Sequence, residues 1–328
     1  MLHRVLEDTR EAYDPEMAVS DENFERFLAW VSRHYRVVRL QDLQQELRGW
    51  RCGSPPLCVL TFDDGWSDNF TCAFPMLQRY NLTATVFLAV NFIGTGRRLW
   101  QERLWRHLQR AGKTSSAAES LRATGEAFAW CPPLGAADLN LSRLRPLLLT
   151  RPSPEAEAFV DRFGRIVGGE PEWAGPAFLS WDQVQRMREC GIDFGSHTMQ
   201  HTLLSRAPTA VAEAEVCDSR RAIEERLGAP VCSFSYPWGA RGPASRAQVE
   251  SAGYAFAVTA SPGLARSDSD ALQLPRVALS DACFGRASRP GGDGLSGKKR
   301  TQDAFSAAAL SLHIARARFS NLRVGRPS

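Results

Sequence analysis

Short apolar runs alternate with amphipathic stretches along most of this chain. In SDENFERFLAWVSRHY (20–35), Phe24, Phe27, Leu28 and Val31 recur at helical spacing behind a capping Ser20 or Asp21. This pattern predicts a helix. RVVRL follows as a short strand, and QDLQQELRGW as a second helix ending near Gly49. PPLCVLTF (55–62) is a compact apolar run after prolines, which suits a buried parallel strand. A helix over SDNFTCAFPMLQRY, opened by Ser67 or Asp68, and a β-branched strand over LTATVFLAV (82–90) complete a βαβ unit.

The pattern loosens between Asn91 and about Ala177. There RRLWQERLWRHLQRAG reads as an amphipathic helix rich in Arg and Trp, followed by Ala-, Pro- and Gly-rich segments. We read residues 92–177 as an insertion or lid between core elements. Regularity returns with a helix over LSWDQVQRMRECG (179–191), capped by Ser180 and ended by Gly191. IDFGSHT is a strand running into a polar turn, residues 209–228 form a long helix ended by Gly228, and VCSFSYPWG is another strand and turn. PASRAQVESAG is a short helix and YAFAVTA (254–260) a strand. Repeated βα units of this kind make a (β/α) barrel or a doubly wound sheet. Past Asp281 the pattern fades into RPGGDGLSGKK, a linker, and a terminal amphipathic stretch, DAFSAAALSLHIARARF. The expected organisation is one α/β domain over 1–285 and a tail over 286–328.

Charge changes this picture only at the C-terminus. The net charge of +4 conceals a tail with nine Lys/Arg against two Asp, on a body whose net charge is −3. A basic tail on a nearly neutral body is only weak evidence for nucleic acid; we read it as a solvated end, expect no nucleic-acid partner, and allow peripheral contact with an anionic membrane surface. No apolar run is long enough to span a membrane, and the charged N-terminal stretch lacks the apolar core of a signal peptide, which points to the cytoplasm. The eight cysteines are scattered without a C-x-x-C pair, as expected of reduced, mostly buried thiols.

Three polar motifs each follow an expected strand, where α/β folds place their chemistry. Asp63-Asp64-Gly65 sets two carboxylates side by side; on extended backbone they face opposite ways, so one can bind a metal while the other faces substrate. The same residues also suit an Asx-type turn that caps a helix. In GSHTMQH, His197 and His201 stand four apart; on a helical turn they would share a face and could share a metal, or they are two unrelated histidines. FSYPWGAR (234–241) holds a rigid aromatic turn, Tyr236-Pro237-Trp238-Gly239, able to stack on a sugar or offer N–H groups to an oxyanion, or simply to pack in the core.

In this order and spacing, TFDDG, HTMQH and YPWG resemble the polysaccharide deacetylase family, the NodB-homology or carbohydrate esterase family 4 domain. LHRV at the start and NFIGTGRRLW further on are similar to bacterial exopolysaccharide-associated members. The resemblance covers residues 55–90 and 178–280. It implies a distorted (β/α)7-type barrel carrying the inserted segment. It also implies a metal-dependent hydrolase that removes N-acetyl groups from N-acetylhexosamine units of a polysaccharide or its lipid-linked precursor. The alternatives are deacetylation of a non-sugar amide or O-acetyl ester, or a catalytically weak carbohydrate-binding homologue. By this resemblance Asp64, His197 and His201 hold a divalent metal, zinc being favoured, Asp63 is the catalytic base, and Tyr236, Pro237 and Trp238 bind substrate or the oxyanion. Two features depart from the family pattern. Phe234 and Trp238 stand at the arginine and tyrosine positions of R-x-x-P-Y, and the late L-x-H acid motif has no clear match. LPRV offers Arg276 there, and we expect Arg276 to replace the missing arginine and hold Asp63 ionised. The only later histidine, His313, lies beyond the glycine-rich linker.

Overall fold

The computed structural model describes residues 1–112, 116–173, 175–266 and 268–284. The basic tail over 286–328, with its amphipathic stretch and His313, lies outside the described residues.

The chain opens with strands β1 (Arg4–Leu6) and β2 (Ala18–Ser20), which pair in parallel, and helix α1 (Asp21–His34). Ser20 caps α1 by accepting from the Asn23 N–H, and Phe24, Phe27, Leu28 and Val31 form its buried stripe, as their spacing predicts. Strand β3 (Arg36–Val37) and helix α2 (Leu43–Gly49) follow. The apolar run 55–62, expected as one strand, is two: β4 (Leu57–Cys58) pairs with β3, and β5 (Thr61–Phe62) enters the main sheet. The next helix also differs from expectation. Asn69–Ala73 is a π-helical turn ahead of α3 (Phe74–Arg79). Pro75 lacks an N–H and its ring crowds the preceding turn, which a wider helix relieves. Asp68 does not cap it, because its carboxylate accepts from Arg4 Nε (2.8 Å) and Val5 N (2.9 Å).

Strand β6 (Thr85–Leu88) is followed by four helices, α4 (Trp100–Ala111), α5 (Ala117–Gly125), α6 (Leu141–Leu149) and α7 (Ser153–Ile166). They pack around an apolar core of their own that includes Leu104, Leu108, Leu121, Leu144, Phe159 and Phe163. The remaining elements are α8 (Trp181–Glu189), β7 (Asp193–Ser196), α9 (Thr209–Leu227), β8 (Ser233–Ser235), α10 (Pro243–Ser251), β9 (Phe256–Pro262) and β10 (Leu274–Arg276).

The main sheet is parallel throughout, in the order β10-β9-β8-β7-β6-β5. Most of its strand positions are buried (every residue of β6 and of β8), as burial on both faces requires. The sheet curls until its two edges meet at the N-terminal residues. Leu2 N–H donates to Thr61 O and Leu2 O accepts from Asp63 N beside β5, while Met1 O accepts from Leu279 N beyond β10. The described barrel is therefore six paired strands and a one-residue bridge, rather than seven complete βα units. This curl delivers the C-terminal ends of β5, β7, β8 and β10 to one mouth.

Candidate active site

Asp63 and Asp64 follow β5 and are 3% and 0% exposed. Two buried carboxylates in sequence need separate partners, and backbone geometry provides them. Asp64 takes φ 74° and Gly65 φ 79°, so the chain turns sharply between the two side chains. A Cβ at residue 65 would lie 2.9 Å from Leu88 Cδ2, so Gly65 is required for its space as well as its dihedral.

Asp63 faces Arg276, the last residue of β10. Arg276 Nη1 donates to Asp63 Oδ1 (2.8 Å) and Nη2 to Oδ2 (2.7 Å), a bidentate pair between side chains 6% and 4% exposed. The fork is held in turn by Thr259 O, Thr61 Oγ1 and Ser235 Oγ. Burial alone would raise the Asp63 carboxyl, but the Arg276 guanidinium outweighs it and holds the group well below the usual carboxylate range.

Asp64 faces the histidines. Its Oδ1 lies 3.3 Å from both His197 Nε2 and His201 Nε2, and its Oδ2 accepts from Trp66 Nε1 at 2.8 Å. Ser235 O, an acceptor only, is 2.7 Å from His197 Nδ1, so that nitrogen carries the proton and Nε2 presents a lone pair to Asp64. Asp64 Oδ1 and His201 Nδ1 have no hydrogen-bond partner. Burial opposes charging His197, yet the Asp64 and Asp63 carboxylates outweigh it and raise its pKa, whereas at His201 burial prevails and the pKa falls to about 4. A carboxylate oxygen and imidazole lone pairs turned toward one buried point repel unless a cation or proton lies among them. Among the described residues this is the one group of three or more such side chains close enough to share an ion.

The histidines meet differently from the expected helical turn. His197 follows β7, and residues 198–203 form a turn in which Thr198 (φ 67°) and His201 (φ 57°) are left-handed. Glu215 on α9 pins this turn by accepting from the N–H groups of Met199 (2.8 Å) and Gln200 (2.9 Å), and Thr198 Oγ1 accepts from Thr202 N. Of the five non-glycine residues with positive φ among the described residues, four (Asp64, Thr198, His201 and Trp238) are in this site. Each costs about 1–2 kcal/mol of backbone strain, which the surrounding packing must offset.

The third motif divides. Tyr236 is 0% exposed and its hydroxyl donates to Leu272 O, so its ring belongs to the core and is not open to a ligand. Its N–H is taken by Val258 O, and Pro237 is buried and has no N–H. Trp238 alone faces the site, edge-on to the His201 ring at 5.4 Å. Gly239 cannot be replaced without a clash, because a Cβ would lie 2.3 Å from Ala260 N.

Sequence reasoning missed several neighbours. His3 Nε2 stands 3.9 Å from Asp63 Oδ2 with 18% of its side chain exposed. It arrives through the Leu2 bridge from the far end of the sequence, and the only local signal was the LHRV string. Trp66, one residue past TFDDG, and Ser235, inside FSYPWGAR, orient Asp64 and the Asp63–Arg276 pair but were not singled out.

Residues 51–139 and 155–257, more than half of the chain, match the family described as polysaccharide deacetylase. The chain is 21% identical over 272 residues to "Putative polysaccharide deacetylase YxkH" of Bacillus subtilis (strain 168), covering 83% of this chain and 69% of that protein. Its fold is similar to that of Streptococcus pyogenes deacetylase PplD in complex with acetate, with a TM-score of 0.56 at 18% identity, covering 86% of this chain and 92% of that one. IcaB from Ammonifex degensii gives a TM-score of 0.54 at 18% identity, covering 86% and 90%. The carboxylate pair and both histidines fall within the matched ranges, and the chain belongs to the polysaccharide deacetylase family.

Proposed function

We propose that the chain is a metal-dependent N-deacetylase acting on N-acetylhexosamine units of a glycan. The observation that carries this reading is the buried convergence of Asp64, His197 and His201 beside the separately held Asp63. The donor set also bears on the ion. One carboxylate and two imidazoles are a set that zinc commonly takes. A divalent cation bound here would acidify a water molecule to a pKa of about 7 and polarise the acetamide carbonyl.

The chain's own groups supply the rest. Asp63 is the base, and the Arg276 fork keeps it ionised and fixed in place. Since Tyr236 N–H is occupied and Pro237 has none, Trp238 N–H is the donor we assign to the developing oxyanion. His3, partly buried beside Asp63, is the group we assign to protonate the departing amine, a role for which the sequence offered no late histidine motif.

The test is acetate release from N-acetylglucosamine oligomers, with and without chelator, alongside metal stoichiometry. The wild type should release acetate and lose activity on chelation. Asp63→Asn should abolish turnover and retain the metal, and His201→Ala should lose both. Metal-loaded protein that deacetylates no acetylated glycan would overturn the enzyme reading, and loss of metal in Asp63→Asn would reverse the two aspartates.

A further inference from the structure

Trp66 stands directly after the turn that separates Asp63 from Asp64, and it is fully buried. Its indole N–H donates to Asp64 Oδ2 at 2.8 Å. An indole has one N–H and no acceptor, so this bond fixes one carboxylate oxygen and leaves the other free. The free oxygen, Oδ1, has no hydrogen-bond partner and lies 3.3 Å from both His197 Nε2 and His201 Nε2. Asp64 therefore turns a single oxygen toward the point that the histidines share. A phenylalanine would fill much the same space, so packing alone does not call for the N–H.

The indole is held firmly. The Arg4 guanidinium lies over its ring at 4.5 Å, and Phe178 is stacked on it at 4.6 Å with 25° between the planes. Arg4 is fixed in turn, because its Nε donates to Asp68 Oδ2 at 2.8 Å and Asp68 Oδ1 accepts from Val5 N at 2.9 Å. The Arg4 and Asp68 side chains are 14% and 6% exposed, so neither is free to drift into solvent. The backbone is tied as well. Ser67 N donates to Ala177 O (2.7 Å) and Leu179 N to Gly65 O (2.9 Å), which locks residues 65–67 to the segment that carries Phe178. The string HRV near the start of the chain thus serves both aspartates. His3 reaches Asp63, and Arg4 secures the ring that is bound to Asp64.

How many oxygens a carboxylate offers bears on the ion it takes. Cations of high coordination number accept carboxylates through both oxygens, whereas a tetrahedral ion has only four positions in all. We propose that Trp66, clamped by Arg4 and Asp68, is a positioning residue that makes Asp64 a one-oxygen ligand and so sets the coordination number of the ion this site takes. The inference rests on the metal-dependent reading, and its test reads binding rather than turnover.

The metal-free full chain is titrated with zinc against a competing chelator, and with cobalt followed by visible absorption. Wild type should give the intense bands of a four- or five-coordinate ion. Trp66→Phe keeps a ring and loses the N–H. It should bind zinc about 10–100-fold more weakly, with cobalt bands bleached toward those of a six-coordinate ion. Arg4→Met/Asp68→Asn keeps the indole and loosens its clamp, and should weaken zinc by about threefold or more. Trp66→Phe within about threefold of wild type and with an unchanged cobalt spectrum, as a ring that only fills space would give, overturns the proposal. So does wild-type zinc affinity in the clamp variant. Weakened zinc in both variants, with no acetate released from any acetylated glycan by the metal-loaded wild type, would support the positioning role and remove the deacetylase reading alone. A wild type that binds neither ion would overturn the proposal together with the metal-dependent reading.

Discussion

Arg276→Met removes the guanidinium that faces Asp63 and leaves its volume largely filled. Arg276 makes five hydrogen bonds to Thr259, Thr61, Asp63 and Ser235, all in buried surroundings. Breaking one side of a buried pair strands the other charge and costs about 3–5 kcal/mol. At about 2 °C per kcal/mol for a chain this long, the melting temperature should fall by roughly 6–10 °C. The pH dependence carries the sharper signature. In the wild type the Asp63 carboxyl is held low, so its contribution to stability is present above the unfolded pKa of about 3.9 and is lost as pH falls through the folded one. Without Arg276, burial governs and raises the carboxyl, and the variant then loses stability as pH rises from about 4 toward neutrality. The gap between the two proteins should therefore widen between about pH 5 and about pH 8. Urea unfolding of metal-free protein measures it, and the Asp63→Asn/Arg276→Met double variant should be less destabilised than the sum of its parts by about 2 kcal/mol. A single variant within about 1 kcal/mol of wild type, or a gap that is flat with pH, would refute the argument.

Two further outcomes follow from the same geometry. His3→Ala should lower kcat by about 10²–10⁴ at unchanged melting temperature, with partial recovery in added imidazole, measured by acetate release; full activity without His3 would remove it from the mechanism. Asp193, at the start of β7, has its carboxyl raised by burial to about 6, so its ionisation destabilises the fold as pH rises from about 4 to 6. Asp193→Asn should be more stable than wild type by up to about 3 kcal/mol at pH 8 and no more stable at pH 4; equal denaturant midpoints at both would contradict this.

The motif-bearing loops were legible because each lies within a few residues of a strand whose apolar pattern is unmistakable. Asp63-Asp64 after β5 and His197 after β7 are local facts, and so is the helical stripe of α1. Arg276 could be singled out only as a substitute for a missing family residue, since nothing in LPRV says what its side chain meets. The number of barrel strands was not legible, because strand periodicity does not register the single-residue bridge that Leu2 makes beside the six paired strands.

By itself the sequence determined most of the buried segments, the order of the βα units, and which residues carry chemistry at strand ends. Those follow from periodicity, caps and glycines within a window of a dozen residues. Only the tertiary structure decided which of these groups meet. Curling the sheet brings residue 3 and residue 276 to the same carboxylate, and folding four helices onto one another sets Arg145 over Trp238. The backbone strain at Asp64, Thr198, His201 and Trp238 was equally invisible beforehand. A left-handed residue other than glycine is held by contacts from distant elements, such as Glu215 on the histidine turn, and those contacts exist only once the chain has folded.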